Sequence, residues 1–155
     1  MTEKEINPFA AFESEVKIRP DDLDLNNHVH SSKYFDYVLF ARFEQMRDNY
    51  KMSMEEFNRR GLNWVASVAH IEFKRSVVLS DLSVTVRTQI AEISPAQVKV
   101  LFWIFNNRTK KIASEGYGLY TLVDINSGKP TRIPDDVIAK YSLRKSDITP
   151  VNSRT

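Results

Sequence analysis

The spacing of apolar residues changes once along the chain and separates a helical region from a region of strands. Between residues 33 and 49, apolar side chains occupy most positions and form no single stripe. After Gly61, apolar and polar residues alternate with the period of two that is typical of strands. Because a helix that is apolar nearly all round is normally buried, the first pattern predicts a helix enclosed by other structure.

The strand patterns predict one strand before this helix and four after it. The first strand covers Glu13 to Arg19 and ends at Pro20. The later strands are predicted at Trp64–Phe73, Leu82–Ile93, Val98–Ile104 and Lys111–Asp124. In the first of these four, the residues expected on one side are Val65, Ser67, Ala69, Ile71 and Phe73. The order predicts an α+β domain with one antiparallel sheet curled around the helix.

Sequence signals also mark the ends of the helices. Ser31 or Ser32 is a suitable N-cap for the long helix, because a serine oxygen can accept a backbone N–H of the first turn. Two shorter helices are predicted, one from a Ser53–Glu56 capping box to Gly61 and one from Pro134 to Tyr141. Residues 1–12 and 142–155 are expected to be loose.

Length and composition favour one globular domain, residues 1–155. With both ends expected to be loose, its core spans about residues 14–141. The net charge is only +2 and no basic block stands out, which argues against nucleic-acid binding. Absence of cysteine excludes disulfides, thiolate metal sites and a cysteine nucleophile. The first residues do not form a secretory signal, and no apolar run approaches the roughly 20 residues of a membrane span. We therefore expect a cytoplasmic protein.

The most polar stretch lies just before the long helix. Residues 22–30 contain two aspartates, two asparagines and two histidines. The first turn of a helix offers unpaired N–H groups and the positive end of its dipole, so a polar cluster there is a candidate site. The same side chains also suit a plain turn, because aspartate and asparagine oxygens accept nearby backbone N–H groups.

Metal binding is not predicted for this stretch. Its start is similar to a calcium-binding EF-hand loop, but Asn27 stands at the glycine position and Lys33 at the position of the bidentate glutamate. Asp24, His28 and His30 match no established spacing of zinc ligands. We expect neither a metal nor another cofactor.

The same stretch carries a family resemblance. The segment from Asp22 to Tyr34, D-L-D-L-N-N-H-V-H-S-S-K-Y, and the following Ala41-Arg42 resemble the hotdog-fold acyl thioesterases of the 4-hydroxybenzoyl-CoA thioesterase-like and acyl-CoA thioester hydrolase group. Later segments similar to the family are Ile71–Leu82 and Val123–Pro134. The resemblance implies a five-stranded antiparallel sheet wrapped around a long central helix. It also implies homodimers or homotetramers with active sites at the dimer interface.

The resemblance assigns expected roles in acyl-CoA hydrolysis. Asp24 matches the catalytic carboxylate, as general base or as nucleophile. Asn26 and His28 match polar partners in the plant acyl-carrier-protein thioesterases. Ser31 matches the position whose backbone N–H receives the thioester carbonyl. The implied substrate is an acyl- or aryl-CoA, or an acyl carrier protein thioester.

Three further residues are candidates for substrate binding. Tyr34 is the aromatic residue nearest the helix start, although helix core is its commoner role. Lys74 and Arg75 can contact CoA phosphates, although a solvated strand end explains each one singly. Two departures from the family pattern are Asn27, where glycine is common, and His30, where asparagine is common.

Two other functions are considered beside hydrolysis. A hotdog hydratase is disfavoured because His28 follows Asp24 by four residues, without the proline and five-residue spacing of those enzymes. A hotdog domain that binds an acyl ligand without turnover is the non-enzymatic alternative. Release of thiol from an acyl-CoA distinguishes these alternatives from a thioesterase.

Overall fold

A computed structural model of the protein describes residues 7–148. The strands in this part are β1 (Ala11–Lys17), β2 (Leu62–Phe73), β3 (Ser83–Ile93), β4 (Gln97–Asn106) and β5 (Ile112–Asp124). The α-helices are α1 (Ser31–Asp48), α2 (Met54–Arg59) and α3 (Asp135–Tyr141). This is the element order that the sequence predicts. Among these residues, no helix has the length and hydropathy that crossing a bilayer requires.

All five strands belong to one antiparallel sheet in the order β1-β3-β4-β5-β2. Strands β3, β4 and β5 are joined by short connections and pair as neighbours. Strand β1 lies at one edge of the sheet, and β2 lies at the other edge. The predicted five-stranded antiparallel sheet is therefore confirmed.

Helix α1 packs against the inner face of this sheet. Its buried apolar residues in the first core cluster are Tyr34, Tyr37, Val38 and Ala41, and they meet β-strand residues such as Val16, Val84, Phe102 and Ile104. A second cluster joins Met46 near the end of α1 to α2, α3 and the middle strands. The two clusters follow one another along α1, so this helix is the central element of the core.

The opposite side of α1 is open, contrary to the prediction of a helix enclosed all round. Phe40 is 49% exposed and Phe43 is 53% exposed. A single sheet covers only one side of a helix, and about half of each of these two rings stays open to solvent. The apolar circumference of α1 therefore includes a surface that one copy of the chain leaves uncovered.

A β-bulge at Ser67 corrects the predicted faces of β2. The pairing of β2 with β5 shifts there, and the extra residue reverses the alternation of side chains. Trp64 packs into the core before the bulge and Ile71 packs into the core after it. The prediction that alternate residues from Val65 to Phe73 share one side is wrong, since Val65 is 44% exposed.

The helix caps are partly those predicted. Ser53 caps α2 by accepting the Glu56 backbone N–H at 3.2 Å, as predicted. In contrast, α1 begins at Ser31, and its N-cap is His30 rather than a serine. The imidazole of His30 takes the place of the serine hydroxyl as acceptor for the first turn.

The chain ends are more ordered than expected where the structure describes them. Phe9 forms an antiparallel bridge with Arg144, and the Lys145 N–H donates to the carbonyl of Pro8 at 2.9 Å. The expectation of loose ends is therefore wrong for these residues. The remainder of that expectation concerns residues 1–6 and 149–155, which lie outside the described part.

Candidate active site

The loop before α1 folds into a tight turn around Asp24. The Asp24 N–H donates to the carbonyl of His28 at 2.8 Å, and the Asn27 N–H donates to the carbonyl of Asp24 at 3.1 Å. Closing this turn requires a left-handed backbone at Asn27, whose φ is 64°. Glycine and asparagine adopt this conformation more readily than most residues, which gives a physical reason for the glycine common at this position.

The Asp24 carboxylate is held by one of its two oxygens. Oδ1 accepts the backbone N–H groups of Asn26 at 2.8 Å and of His28 at 3.1 Å. Within residues 7–148, Oδ2 has no hydrogen-bond donor. The backbone N–H groups of His28 and Asn26 outweigh the opposing effect of burial and lower the pKa of Asp24 below its ordinary value. Asp24 is therefore ionised at neutral pH with one oxygen available to a ligand.

The start of α1 offers an unpaired backbone donor beside this carboxylate. His30 Nδ1 accepts the Ser32 N–H at 3.0 Å, which places the proton of a neutral imidazole on Nε2. The preceding N–H, that of Ser31, has no hydrogen-bond acceptor among the described residues. The positive end of the helix dipole adds to the attraction that this N–H exerts on a negative oxygen.

A cavity of about 320 Å³ joins these groups, and we call it the Asp24 cavity. Its lining residues are Asp24, His28, Val29, His30, Ser31, Tyr34, Phe73, Lys74, Arg75 and Ser76. Six of the seven predicted site residues thus meet at one place, although residues 24–34 and 73–76 are distant in sequence. The cavity combines an ionised carboxylate, a helix N-terminus and two cationic side chains.

Comparison with known proteins places the chain in a family. The sequence model of the thioesterase-like superfamily matches residues 18–141, which include the whole Asp24 cavity. The chain belongs to the thioesterase-like superfamily. No protein of curated function matches its sequence.

Solved structures with the same fold include several thioesterases. A DHNA-CoA thioesterase from Staphylococcus aureus is 18% identical with a TM-score of 0.79, over 85% of this chain and 89% of that one. A 1,4-dihydroxy-2-naphthoyl-CoA thioesterase from Synechocystis is 14% identical with a TM-score of 0.77, over 85% and 96%. YbaW, a probable thioesterase from Escherichia coli, is 17% identical with a TM-score of 0.70, over 83% and 94%. These likenesses confirm the hotdog fold of this superfamily member.

Asn26 is the one predicted site residue that does not line the Asp24 cavity of this thioesterase-like protein. It is exposed, and its contact with Asp24 is made by its backbone N–H rather than by its amide. The side chain of His28 does line the cavity, but among residues 7–148 it makes no hydrogen bond. These two residues therefore support Asp24 through their backbones.

The cations at the cavity rim differ in how far they are already engaged. Lys74 Nζ lies 2.9 Å from Glu72 and 3.9 Å from Glu115. Arg75 donates from Nη1 to the carbonyl of Ile112 at 2.8 Å and makes no ion pair with a described residue. The guanidinium of Arg75 is consequently more available to a ligand than the ammonium group of Lys74.

Tyr34 belongs both to the lining of the Asp24 cavity and to the hydrophobic core of the protein. Its ring is buried and meets Phe73 edge-on, with 5.2 Å between ring centroids. Burial raises the pKa of Tyr34, so its hydroxyl remains protonated at neutral pH. Tyr34 therefore lines the Asp24 cavity and also forms part of the core.

Sequence reasoning missed Val29, His30, Phe73 and Ser76 as lining residues. Phe73 and Ser76 flank Lys74 and Arg75, so their position next to two candidate residues was the available signal. In the sequence, His30 stands out as a possible metal ligand and as a departure from the family pattern, and neither feature indicates its place in the cavity. Among residues 7–148, no group of three or more histidine, cysteine, aspartate or glutamate side chains could hold a metal ion.

Proposed function

We propose that this chain hydrolyses the thioester of an acyl- or aryl-CoA, with Asp24 as its catalytic carboxylate. The observation that carries the proposal is the Asp24 cavity, where the unpaired oxygen of Asp24 and the unpaired N–H of Ser31 occur together. Thioester hydrolysis requires a base or nucleophile on one side of a carbonyl and a donor for its oxygen on the other. Membership of the thioesterase-like superfamily supports the same reaction.

The Ser31 N–H is suited to hold the carbonyl oxygen. Negative charge develops on that oxygen when the tetrahedral intermediate forms, and one well-placed donor lowers such a barrier by about 2.7–4 kcal/mol. The N-terminus of α1 adds its dipole to the same point. The His30 imidazole already accepts the Ser32 N–H, so no acceptor among the described residues competes with the substrate carbonyl for the Ser31 N–H.

Asp24 acts on the carbonyl carbon in one of two ways. As a base, Oδ2 takes a proton from water while the water oxygen bonds to the carbon, and the C–S bond then breaks. As a nucleophile, Oδ2 forms an anhydride, the thiolate leaves, and water hydrolyses the anhydride. Single turnover in ¹⁸O-labelled water distinguishes these routes, because only the nucleophilic route can place the label in Asp24.

The proposal is tested by hydrolysis of a panel of aliphatic and aromatic acyl-CoA thioesters by the wild type and Asp24→Asn. Asparagine keeps an oxygen for the Asn26 and His28 N–H groups but cannot act as base or nucleophile. We expect kcat/KM to fall by about 10²–10⁴-fold, the range of general base catalysis. Asp21→Asn is the control, because Asp21 is an exposed carboxylate outside the cavity.

Turnover by Asp24→Asn equal to the wild type would contradict the role of Asp24. Tight binding of acyl-CoA with no thiol release by either protein would instead support a ligand-binding domain without catalysis. Acyl carrier protein thioesters belong in the same panel, because their thiol shares the pantetheine arm of CoA. The cytoplasmic location stays a prediction, which cell fractionation tests.

We further propose that two copies of the chain pair through β2. Strand β2 pairs only with β5 in the described sheet, so the backbone groups of its outer edge are unpaired. Val65 and Val68 are exposed on this strand, and Phe43, which lies near β2, is exposed on α1. A homodimer that joins two β2 edges would protect both features. Sedimentation equilibrium of the intact chain tests it and would also detect a homotetramer.

A further inference from the structure

A second cavity lies at the far end of α1 from Asp24, and we call it the Arg42 cavity. Its volume is about 270 Å³. Its lining residues are Leu39, Arg42, Phe43, Met46, Met54, Asn63, Trp64, Ala66, Val98, Tyr120 and Tyr141. None of them lines the Asp24 cavity. Most of these side chains are apolar, so the walls suit an apolar chain.

Three polar atoms of the residues that line this cavity are buried without a hydrogen bond. They are Nη1 of Arg42, Nε1 of Trp64 and the hydroxyl oxygen of Tyr141. Among residues 7–148 these are all the fully buried side-chain nitrogen and oxygen atoms that lack a partner. Buried polar groups are nearly always satisfied, so three exceptions among the lining residues of one cavity form an unusual cluster of donors. Each of the three atoms carries a hydrogen that it can donate.

Arg42 adds a buried positive charge to these donors. The residue is 6% exposed, and no carboxylate of residues 7–148 lies within 4.0 Å of it. Its guanidinium faces the rings of Tyr50 at 5.7 Å and Tyr120 at 6.0 Å. Ring faces stabilise the cation, but they do not use the N–H groups that point from its edge. A buried charge without an ionic partner is rare in a folded protein.

The aromatic residues hold the donors in a fixed arrangement. The Trp64 and Tyr141 rings stack with 6.0 Å between centroids, and Tyr50 packs 5.1 Å from Tyr141. Burial is the main cause that raises the pKa of Tyr141 to about 12, so its hydroxyl is a donor at neutral pH. Trp64 and Arg42 lie near enough to moderate this rise, yet neither has the geometry of a hydrogen bond to Tyr141.

We propose that the Arg42 cavity binds the carboxylate end of an apolar chain, with Arg42, Trp64 and Tyr141 donating to the carboxylate oxygens. One buried cation balances one negative charge, which favours a carboxylate over a dianionic phosphate. The planar guanidinium also matches the two oxygens of a carboxylate. At about 30 Å³ for each water-sized group, the volume admits roughly nine non-hydrogen atoms. This corresponds to a medium-chain acid of about seven carbons.

The carboxylate can come from two sources. One is a free medium-chain acid that binds independently of the Asp24 cavity. The other is the distal carboxylate of a dicarboxylic acyl thioester whose carbonyl lies at Ser31, and this second source rests on the proposed thioesterase function. Along α1, Ser31 and Arg42 are separated by about 16 Å at 1.5 Å per residue. A twelve-carbon diacid is therefore a suitable probe for the second source.

The decisive experiment measures octanoate binding by calorimetry, without any hydrolysis. We expect octanoate to bind the wild type at least tenfold more tightly than 1-octanol, which has the chain without the charge. Arg42→Met keeps an apolar stem and should weaken octanoate binding at least tenfold, whereas the exposed Arg47→Met on the same helix should leave it unchanged. Asp24→Asn should also bind octanoate normally, so a failure of the proposed hydrolysis does not affect this result.

Tyr141→Phe provides a second variant that keeps the ring and removes one donor. It should weaken octanoate binding by a smaller factor, and it serves if Arg42→Met does not fold. Equal binding of octanoate and 1-octanol, or octanoate binding unchanged in the folded Arg42 or Tyr141 variants, would overturn the proposal.

Hydrolysis distinguishes the two sources of the carboxylate. A preference for dodecanedioyl-CoA over dodecanoyl-CoA that Arg42→Met reduces at least tenfold would identify the substrate's own distal carboxylate. Arg42-dependent octanoate binding with no such preference would identify a free acid.

Discussion

The Tyr37 hydroxyl donates a hydrogen bond of 2.7 Å to Oδ2 of Asp22, a carboxylate that is completely buried. The same oxygen accepts the Arg19 N–H at 3.0 Å. The Asp22 carbonyl accepts the His30 N–H at 2.8 Å. Together, these three contacts of Asp22 tie both ends of the Asp24 loop to α1. The two aspartates of the motif therefore have different roles. Asp22 holds the loop, and Asp24 faces the cavity.

Tyr37→Phe should lower the free energy of unfolding by about 1–3 kcal/mol. The substitution keeps the ring but leaves a buried carboxylate with one donor fewer, and such a group costs this amount when unsatisfied. Urea unfolding followed by far-UV circular dichroism measures the change. Tyr117→Phe is the control, because the Tyr117 hydroxyl makes no hydrogen bond to a described residue. A similar loss in both variants would contradict the role of the Tyr37–Asp22 bond.

The same pair should make part of the stability depend on pH. Burial raises the pKa of Asp22, but the Tyr37 hydroxyl and the Arg19 backbone and guanidinium outweigh it, and the pKa lies below its ordinary value. In the unfolded chain this carboxyl titrates near 3.9. As pH falls, the unfolded state therefore binds this proton before the folded state does. The stabilisation that ionised Asp22 contributes is present above about pH 4 and is lost as pH falls through the pKa of Asp22 in the folded protein.

Removing the Tyr37 hydroxyl raises the folded pKa of Asp22 and so weakens this dependence. The difference in unfolding free energy between wild type and Tyr37→Phe should shrink as pH falls from 7 to about 3. Urea titrations at several pH values measure it. A difference that stays constant over this range would show that Asp22 does not titrate through the Tyr37 bond.

The fold could be predicted because its signals are local. Alternation marks each strand, and the D-x-D segment with its following helix marks the family and Asp24. The bulge at Ser67 could not be predicted, since a small polar residue within an alternating run gives no sign of being extra. The cap of α1 was missed because serine is the commoner acceptor, whereas the structure uses the ring of His30.

Arg42 illustrates a second limit of sequence reasoning. In the sequence it is an ordinary charged residue within an apolar helix, noted only as part of the family motif. Its guanidinium lies against Tyr50, just after α1, and against Tyr120 of β5, which is far away in sequence and beyond the reach of any local pattern. The three unpaired donors at the Arg42 cavity become apparent only when those distant elements are assembled.

Arg75→Gln should weaken the binding of CoA substrates more than Lys74→Gln does. Lys74 is already paired with Glu72, whereas Arg75 makes no ion pair with a described residue. A hydrogen bond to a charged group contributes about 1.5–3 kcal/mol, so KM should rise roughly tenfold or more in the arginine variant. Steady-state kinetics with one acyl-CoA at fixed ionic strength measures both changes.

The matching acyl-pantetheine is the control for this comparison, because it lacks the phosphates of the nucleotide part of CoA. We expect Arg75→Gln to leave its KM unchanged. An equal rise for acyl-CoA and acyl-pantetheine would mean that Arg75 holds the strand end through the Ile112 carbonyl rather than contacting phosphate.

Gly116→Ala should loosen the β2 edge of the sheet. A Cβ atom at Gly116 would lie 1.9 Å from the carbonyl oxygen of His70 and 2.9 Å from the ring of Phe102. The His70 carbonyl belongs to the β2 backbone, so it cannot move away without disturbing the pairing of β2 with β5. Overpacking of this kind typically costs about 1–3 kcal/mol.

Gly118→Ala is the matched control on the same strand. A Cβ atom there meets only the side chain of Tyr120, at 3.0 Å, and a side chain can shift more easily than a paired backbone. Amide hydrogen exchange should accelerate in β2 for Gly116→Ala and much less for Gly118→Ala. The proposed dimer uses the outer edge of β2, so Gly116→Ala should also weaken dimerisation. Equal exchange in the two variants would show that the glycine is not required for the close approach of these strands.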